Sequence, residues 1–293
     1  MLTAAAAQTV RNAAQRNLTA TAGTLPATFV RFFYGLPFAA IGWWVALKVS
    51  ALAIPGSTPV FLAWDALGAI AQLVATAFLL AAMEQRSFIV AVAYSKTELL
   101  QIALYGAVLL GDPVRASTMV AIVIATLGVL LLSVKASGER GAAVRSWFSP
   151  AAALGLASGA SFALSAVGFR GAALTLGGGP PWIAGLHCLI WAQAIQSATL
   201  GLYLAARGRA GLRQVIVQWR ISTLAGFMGA LASSLWLTAF AMRNAADVRT
   251  VGLVEVLYGY AVSRRLFREP VSGRELTGIG LVAAGILVIS GSH

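Results

Sequence analysis

Apolar residues run along this chain in ten windows of about 20, the length a helix needs to cross the hydrocarbon of a bilayer. The windows cover approximately 2–22, 27–48, 60–82, 87–109, 115–134, 150–171, 181–204, 220–241, 247–267 and 274–291. Turn-forming residues separate them: Pro26, Pro55-Gly56, Gly111-Asp112-Pro113, Gly138-Glu139-Arg140-Gly141, Gly177-Gly178-Gly179-Pro180-Pro181 and Glu269-Pro270. The connections are short, and none is long enough to fold as a soluble domain. Any chemistry therefore sits among the helices or at their mouths. The pattern predicts an all-α membrane protein with ten transmembrane helices.

The first window differs from the others because it is amphipathic. Its polar residues Gln8, Arg11, Asn12, Gln15, Arg16 and Thr19 recur at the spacing of one helix face. Such a helix either lies flat in the membrane interface or spans the bilayer and lines a wet cavity. An internal repeat favours spanning. At a constant offset of 157, residues 81–134 align with 238–291, pairing Arg86 with Arg243, Glu98 with Glu255, Asp112-Pro113-Val114 with Glu269-Pro270-Val271 and Gly128 with Gly285. At an offset of 154, Arg16 meets Arg170, Thr21 meets Thr175 and Pro26 meets Pro180, so the first window corresponds to the sixth.

Two repeats, 1–137 and 138–293, each of five crossings, must run in opposite directions through the membrane. The expected architecture is thus two inverted five-helix repeats around a central cavity, the usual plan of a secondary transporter.

Composition narrows the class further. Hydrophobic residues make up 59% of the chain and charged residues only 10%, and the mean hydropathy is +0.83. A soluble domain needs about a quarter of its residues charged to wet its surface, so most soluble enzymes are excluded. The net charge of +12 sits mainly between the apolar windows, where it sets topology rather than binding nucleic acid. Arg86, Lys135, Arg140, Arg145, Arg207, Arg209, Arg213, Arg220, Arg264, Arg265, Arg268 and Arg274 follow odd-numbered windows. Lys48, Arg115, Arg243 and Arg249 follow even ones, so this bias places both termini outside. The interrupted first window argues against a cleaved signal peptide. Cys188 is the sole cysteine, which excludes an internal disulfide.

Ionisable groups inside spans are costly, roughly 2.5–3.5 kcal/mol at a helix centre, so each implies a partner or a watery cavity. Glu98 and Glu255 hold equivalent positions in the two repeats. Tyr94, Glu98, Gln101 and Tyr105 share one face of the fourth window, and Glu255 and Tyr258 share the equivalent face of the ninth.

Together with Gln8, Arg11, Asn12 and Gln15, these stripes read as the lining of a substrate cavity. Arg11 or Arg16 would receive a carboxylate, and Glu98 or Glu255 an amino group or a proton. The competing reading pairs the same charges as internal ion pairs that hold helices together.

Lys96 falls about 200° from Glu98 on a continuous helix and is expected to pair with a neighbouring helix. His187 and Trp191 read either as cavity-facing or as packing residues. Ser158, Ser161, Phe162 and Ser165, and likewise Ser233, Ser234 and Trp236, read as close-packing faces. Trp43, Trp44, Trp147, Trp182 and Trp219 read as interfacial anchors. No window carries a metal cluster, a phosphate-binding lysine loop, a nucleophile elbow or paired catalytic acids. A transporter without cofactor, metal or catalytic residues is expected rather than an enzyme.

Two five-helix repeats, each with an acid-Pro-Val segment before a glycine-containing final helix, resemble the EamA-type members of the drug/metabolite transporter superfamily. The stretch Pro26-Ala27-Thr28-Phe29-Val30-Arg31-Phe32 is similar to the start of that family's second helix. The resemblance spans essentially the whole chain. It implies a bacterial inner-membrane exporter of amino acids or related small metabolites, expected as a monomer whose partners are its solute and the lipid bilayer, with peripheral fifth and tenth helices. It also implies cytoplasmic termini, against the charge bias. Tyr94 and Lys96 stand where the amino-acid exporters of the family carry aromatic residues. Efflux of hydrophobic or cationic drugs, and a non-transporting membrane anchor, are the competing functions.

Overall fold

The structure, a computed structural model, describes residues 1–51, 53–113, 116–133, 149–177, 179–207, 210–268 and 273–290. Val114, Arg115, Lys135, residues 138–141, Arg145, Trp147, Gly178, Arg209, Glu269, Pro270, Val271 and the 137/138 repeat boundary lie outside the described residues, as does the side chain of Arg274.

Among the described residues the chain is predominantly helical, with no strand. The helices are α1 (Leu2–Ala22), α2 (Thr24–Phe33), α3 (Gly35–Ser50), α4 (Pro59–Gln85), α5 (Phe88–Ser95), α6 (Glu98–Leu110) and α7 (Ala116–Ser133). They continue as α8 (Pro150–Thr175), α9 (Pro181–Arg207), α10 (Ala210–Val217), α11 (Trp219–Met242), α12 (Ala245–Val251), α13 (Val254–Arg265) and α14 (Gly273–Ser290).

Five stretches of the described residues are long and apolar enough to cross a membrane: Thr24–Ser50, Pro59–Gln85, Pro150–Thr175, Pro181–Arg207 and Trp219–Met242. Several such helices in one chain make it a multi-pass membrane protein.

Local chemistry sets the ends. Thr58 caps α4 by accepting a hydrogen bond from the Phe61 amide at 3.2 Å, with Pro59 in the first turn. Ser149 caps α8 in the same way, accepting from Ala152 at 3.2 Å ahead of Pro150. Gly111 closes α6 with φ +67°, a conformation that costs glycine little. The break at Tyr34 follows from Pro37, which has no N–H to offer the Phe33 carbonyl one turn back.

The most extensive interface joins α4 to α8, followed by α7 with α14 and α1 with α11. At the first of these, a Cβ added to Gly168 would lie 2.7 Å from the Gly68 backbone nitrogen, so two glycines bring the helix backbones together. The helix α9 packs against α2, α3, α4 and α11. Large apolar side chains such as Ile41, Val49, Leu104, Val108 and Leu202 point outward, as a surface solvated by lipid requires.

The amphipathic α1 does not lie on the surface. Gln8, Arg11, Asn12 and Gln15 are all buried, and the helix is packed against α11, α2 and α13. An interfacial helix would instead keep its polar face in water. The windows at 27–48, 87–109 and 247–267 are each broken into two helices, and α10 adds a short helix to the connection after α9. The acid-Pro segment at 112–113 also has a partner. Arg170, at the end of α8, donates to both carboxylate oxygens of Asp112 at 2.6 and 2.9 Å and to the carbonyls of Phe240 and Arg243. One guanidinium thereby ties α6, α8 and α11 at one end of the bundle.

Candidate functional site

The two broken helices place their acids at new helix starts. Lys96 and Thr97 form tight turns, with Lys96 N–H bonded to Ala93 O at 3.0 Å and Leu99 N–H to Lys96 O at 3.3 Å. Glu98 then occupies the first turn of α6, and Glu255 the first turn of α13. A carboxylate is favoured there by the unpaired N–H groups and the helix dipole.

Glu255 is the hub of a buried network. It accepts hydrogen bonds from Gln8 Nε2 at 2.8 Å, Asn12 Nδ2 at 3.1 Å and Lys96 Nζ at 2.5 Å. Gln8 is held in turn by the Trp236 indole N–H, which donates to its Oε1 at 2.9 Å. Lys96 also lies 3.5 Å from Glu98 Oε1, and Arg249 Nε reaches the same oxygen at 3.9 Å. Arg249 sits among the rings of Trp236, Phe240 and Phe162, with its guanidinium carbon 5.2 to 5.7 Å from their centroids.

Two further arginines complete the cluster. Arg11 donates from Nε and Nη2 to Asn12 Oδ1 at 3.2 and 2.6 Å. Arg31 donates to the Thr76 and Ser233 hydroxyls at 2.8 and 3.3 Å. Both stems rest on Gly229, where an added Cβ would lie 3.1 Å from Arg31 Cγ and 3.3 Å from Arg11 Cδ. Arg11, Arg31, Arg249 and Glu255 are near enough to interact electrostatically.

The residues singled out in the sequence divide accordingly. Gln8, Arg11, Asn12, Glu98 and Glu255 come together in this network. Gln15 instead donates to the Ala27 carbonyl at 2.8 Å, tying α1 to α2. Tyr94 ends up on α5 rather than on the helix of Glu98, because the chain breaks between them, and it lies against Gly155 of α8. Gln101 is half-buried, with Oε1 unpartnered among the described residues. Tyr258 packs against the main hydrophobic core. Lys96 pairs with a neighbouring helix and also belongs to the network. It reaches Glu98, two residues on, because the helix does not run through Lys96.

Three charged residues were not read as site residues: Arg31, Arg249 and Asp65. All three are ionisable groups within apolar windows, which is the available signal. Asp65 on α4 is fully buried and has no hydrogen-bond partner for either carboxyl oxygen among the described residues, lying within interaction range of Cys188.

His187 and Trp191 line a separate pocket of about 320 Å³ with Trp43, Ile54 and Ser57. There the Ser57 hydroxyl sits 3.0 Å from His187 Nε2. Ser158 donates to the Ala75 carbonyl at 2.8 Å across the α4–α8 interface, a packing role. Trp182 and Trp219 are exposed at helix starts, and Trp44 is exposed within α3.

The sequence matches no protein-family model and no curated protein. The fold does have counterparts, with 23 solved chains similar to it. One of these, a crystal structure of a protein 14% identical in sequence, superposes with a TM-score of 0.63 over 99% of this chain and 96% of its own. Likeness at that identity concerns the fold alone.

Proposed function

We propose that this chain is a secondary transporter of the bacterial inner membrane, which exports amino acids or related small metabolites by alternating access between two inverted five-helix repeats. The observation that carries the reading is the buried polar network. A multi-pass membrane protein has little reason to place four cations and two carboxylates at the meeting point of α1, α2, α6, α12 and α13 unless a polar solute passes there.

The packing supports the repeat. Where α4 meets α8, the repeat counterpart is α11 meeting α1, and these are two of the three most extensive interfaces. The α7–α14 pairing maps onto itself, and among the described residues neither helix supplies a side chain to the network, in keeping with peripheral fifth and tenth helices. The excess of positive charge disfavours cationic drugs as cargo. An anchor protein needs no polar cavity.

The test is flux in proteoliposomes across a panel of amino acids and small metabolites, with and without a proton gradient. Uptake or release above that of empty vesicles is expected for at least one solute class. Flat kinetics throughout would count against transport. Glu98 and Glu255 are the candidates for proton coupling, and Glu98 is the freer of the two because Glu255 is held by three donors. Flux indifferent to the proton gradient would remove that role.

A further inference from the structure

The central network is not electrically balanced. Arg11, Arg31, Lys96 and Arg249 supply four cations, while Glu98 and Glu255 supply two carboxylates, and all six residues are at most 5% exposed. Buried acids elsewhere do not make up the difference. Asp247 accepts from Thr118 at 2.8 Å and projects from a face of α12 about 200° from Arg249, and Asp65 lies by Cys188 on α4. Two uncompensated positive charges inside a membrane protein cost several kcal/mol unless something neutralises them.

The donors left over point to what that is. Arg11 Nη1, Arg31 Nε and Arg249 Nε are buried without a hydrogen-bond partner among the described residues. Each belongs to a guanidinium, the planar fork that matches carboxylate and phosphate oxygens. The starts of α6 and α13 add partial positive charge from the same side as Glu98 and Glu255.

We infer that the solute bound by this network is a small dianion, either a dicarboxylate or a phosphate monoester, whose acid groups are received by Arg11, Arg31 and Arg249. This rests on the transport reading above and narrows it. A zwitterionic amino acid brings no net charge and leaves the imbalance in place. A dianion removes it. Lys96 stays with the two glutamates, and Gly229 gives Arg11 and Arg31 the room to approach one ligand together.

The experiment measures binding and flux separately on the full chain. Succinate, glycerol 3-phosphate, leucine and tetraphenylphosphonium are each titrated against detergent-purified protein by calorimetry, then offered to proteoliposomes. Succinate, glycerol 3-phosphate or both are expected to bind and to move, and which of the two does so separates carboxylate from phosphate as the recognised group. Arg31→Gln and Arg249→Gln are each expected to weaken dianion binding by at least about tenfold, with Arg31→Lys recovering part of it. Competition for the unmodified protein, in which leucine fails to displace whichever dianion binds, carries the same conclusion without relying on a variant that folds.

Flux and binding confined to leucine or tetraphenylphosphonium would overturn the dianion assignment and leave transport standing. Dianion binding without flux would do the reverse. No binding and no flux for any probe would overturn both.

Discussion

Lys96 is the cation that Glu98 and Glu255 share, and it is almost fully buried. Removing one partner from a buried ion pair strands the other charge, which costs about 3–5 kcal/mol. Lys96→Met in detergent-purified protein is therefore expected to lower the melting temperature by several degrees. The double variant Lys96→Met with Glu255→Gln is expected to lose less than the two single losses added together, because the second change removes the stranded charge. Additive losses would mean that the pair does not couple. At this scale the sequence was partly legible. Glu98 and Glu255 stood out because the repeat matched them, and Gln8 and Asn12 because they share a helix face with Arg11. Arg31 and Arg249 were equally anomalous inside apolar windows, yet one was absorbed into a family-like stretch and the other into the loop charges. A charge near a window's edge reads as topology until the fold shows it turned inward.

The elements reveal why Lys96 was hard to place. Its window has no proline, and its one glycine, Gly106, lies ten residues past Lys96, so hydropathy reads one unbroken helix where the chain has α5, a tight turn and α6. The repeat helps here. Lys96 N–H to Ala93 O and Leu99 N–H to Lys96 O recur, at the offset of 157, as Leu253 N–H to Thr250 O at 3.1 Å and Val256 N–H to Leu253 O at 2.9 Å. Both breaks deliver a glutamate to the first turn of the following helix, so the matched acids of the sequence are matched in backbone geometry as well. The long helices were legible from apolar length alone, because a bilayer enforces that length. Their closeness was less so, since it depends on single glycines. Gly168→Leu would drive a branched side chain into the Gly68 backbone, where no rotamer of a flexible neighbour can yield. Loss of the monodisperse peak in size-exclusion chromatography is expected. Leu at Gly56, where an added Cβ meets nothing within 4 Å, is the contrasting substitution and should elute normally.

At the scale of the whole molecule, the question is how a network this deeply buried meets both sides of a membrane. The contacts that hold it come from both halves of the chain. Gln8, Asn12 and Lys96 belong to the first, and Glu255, Arg249 and Trp236 to the second, so the proposed alternating access would have to part these contacts toward one face at a time. Ser233 is a suitable reporter, being buried on α11 and accepting from Arg31. Cys188, the only cysteine, can be changed to serine to give a silent background. In that background Ser233→Cys is expected to react with a negatively charged methanethiosulfonate added to either side of oriented vesicles, and faster than with a positively charged one, because the surrounding arginines attract the anion. A bound dianion should slow the labelling from both sides alike. Labelling from one side only would rule out alternating access and leave a one-sided binding site. Equal rates for the two reagents would mean that the four buried cations are screened from the path the solute takes.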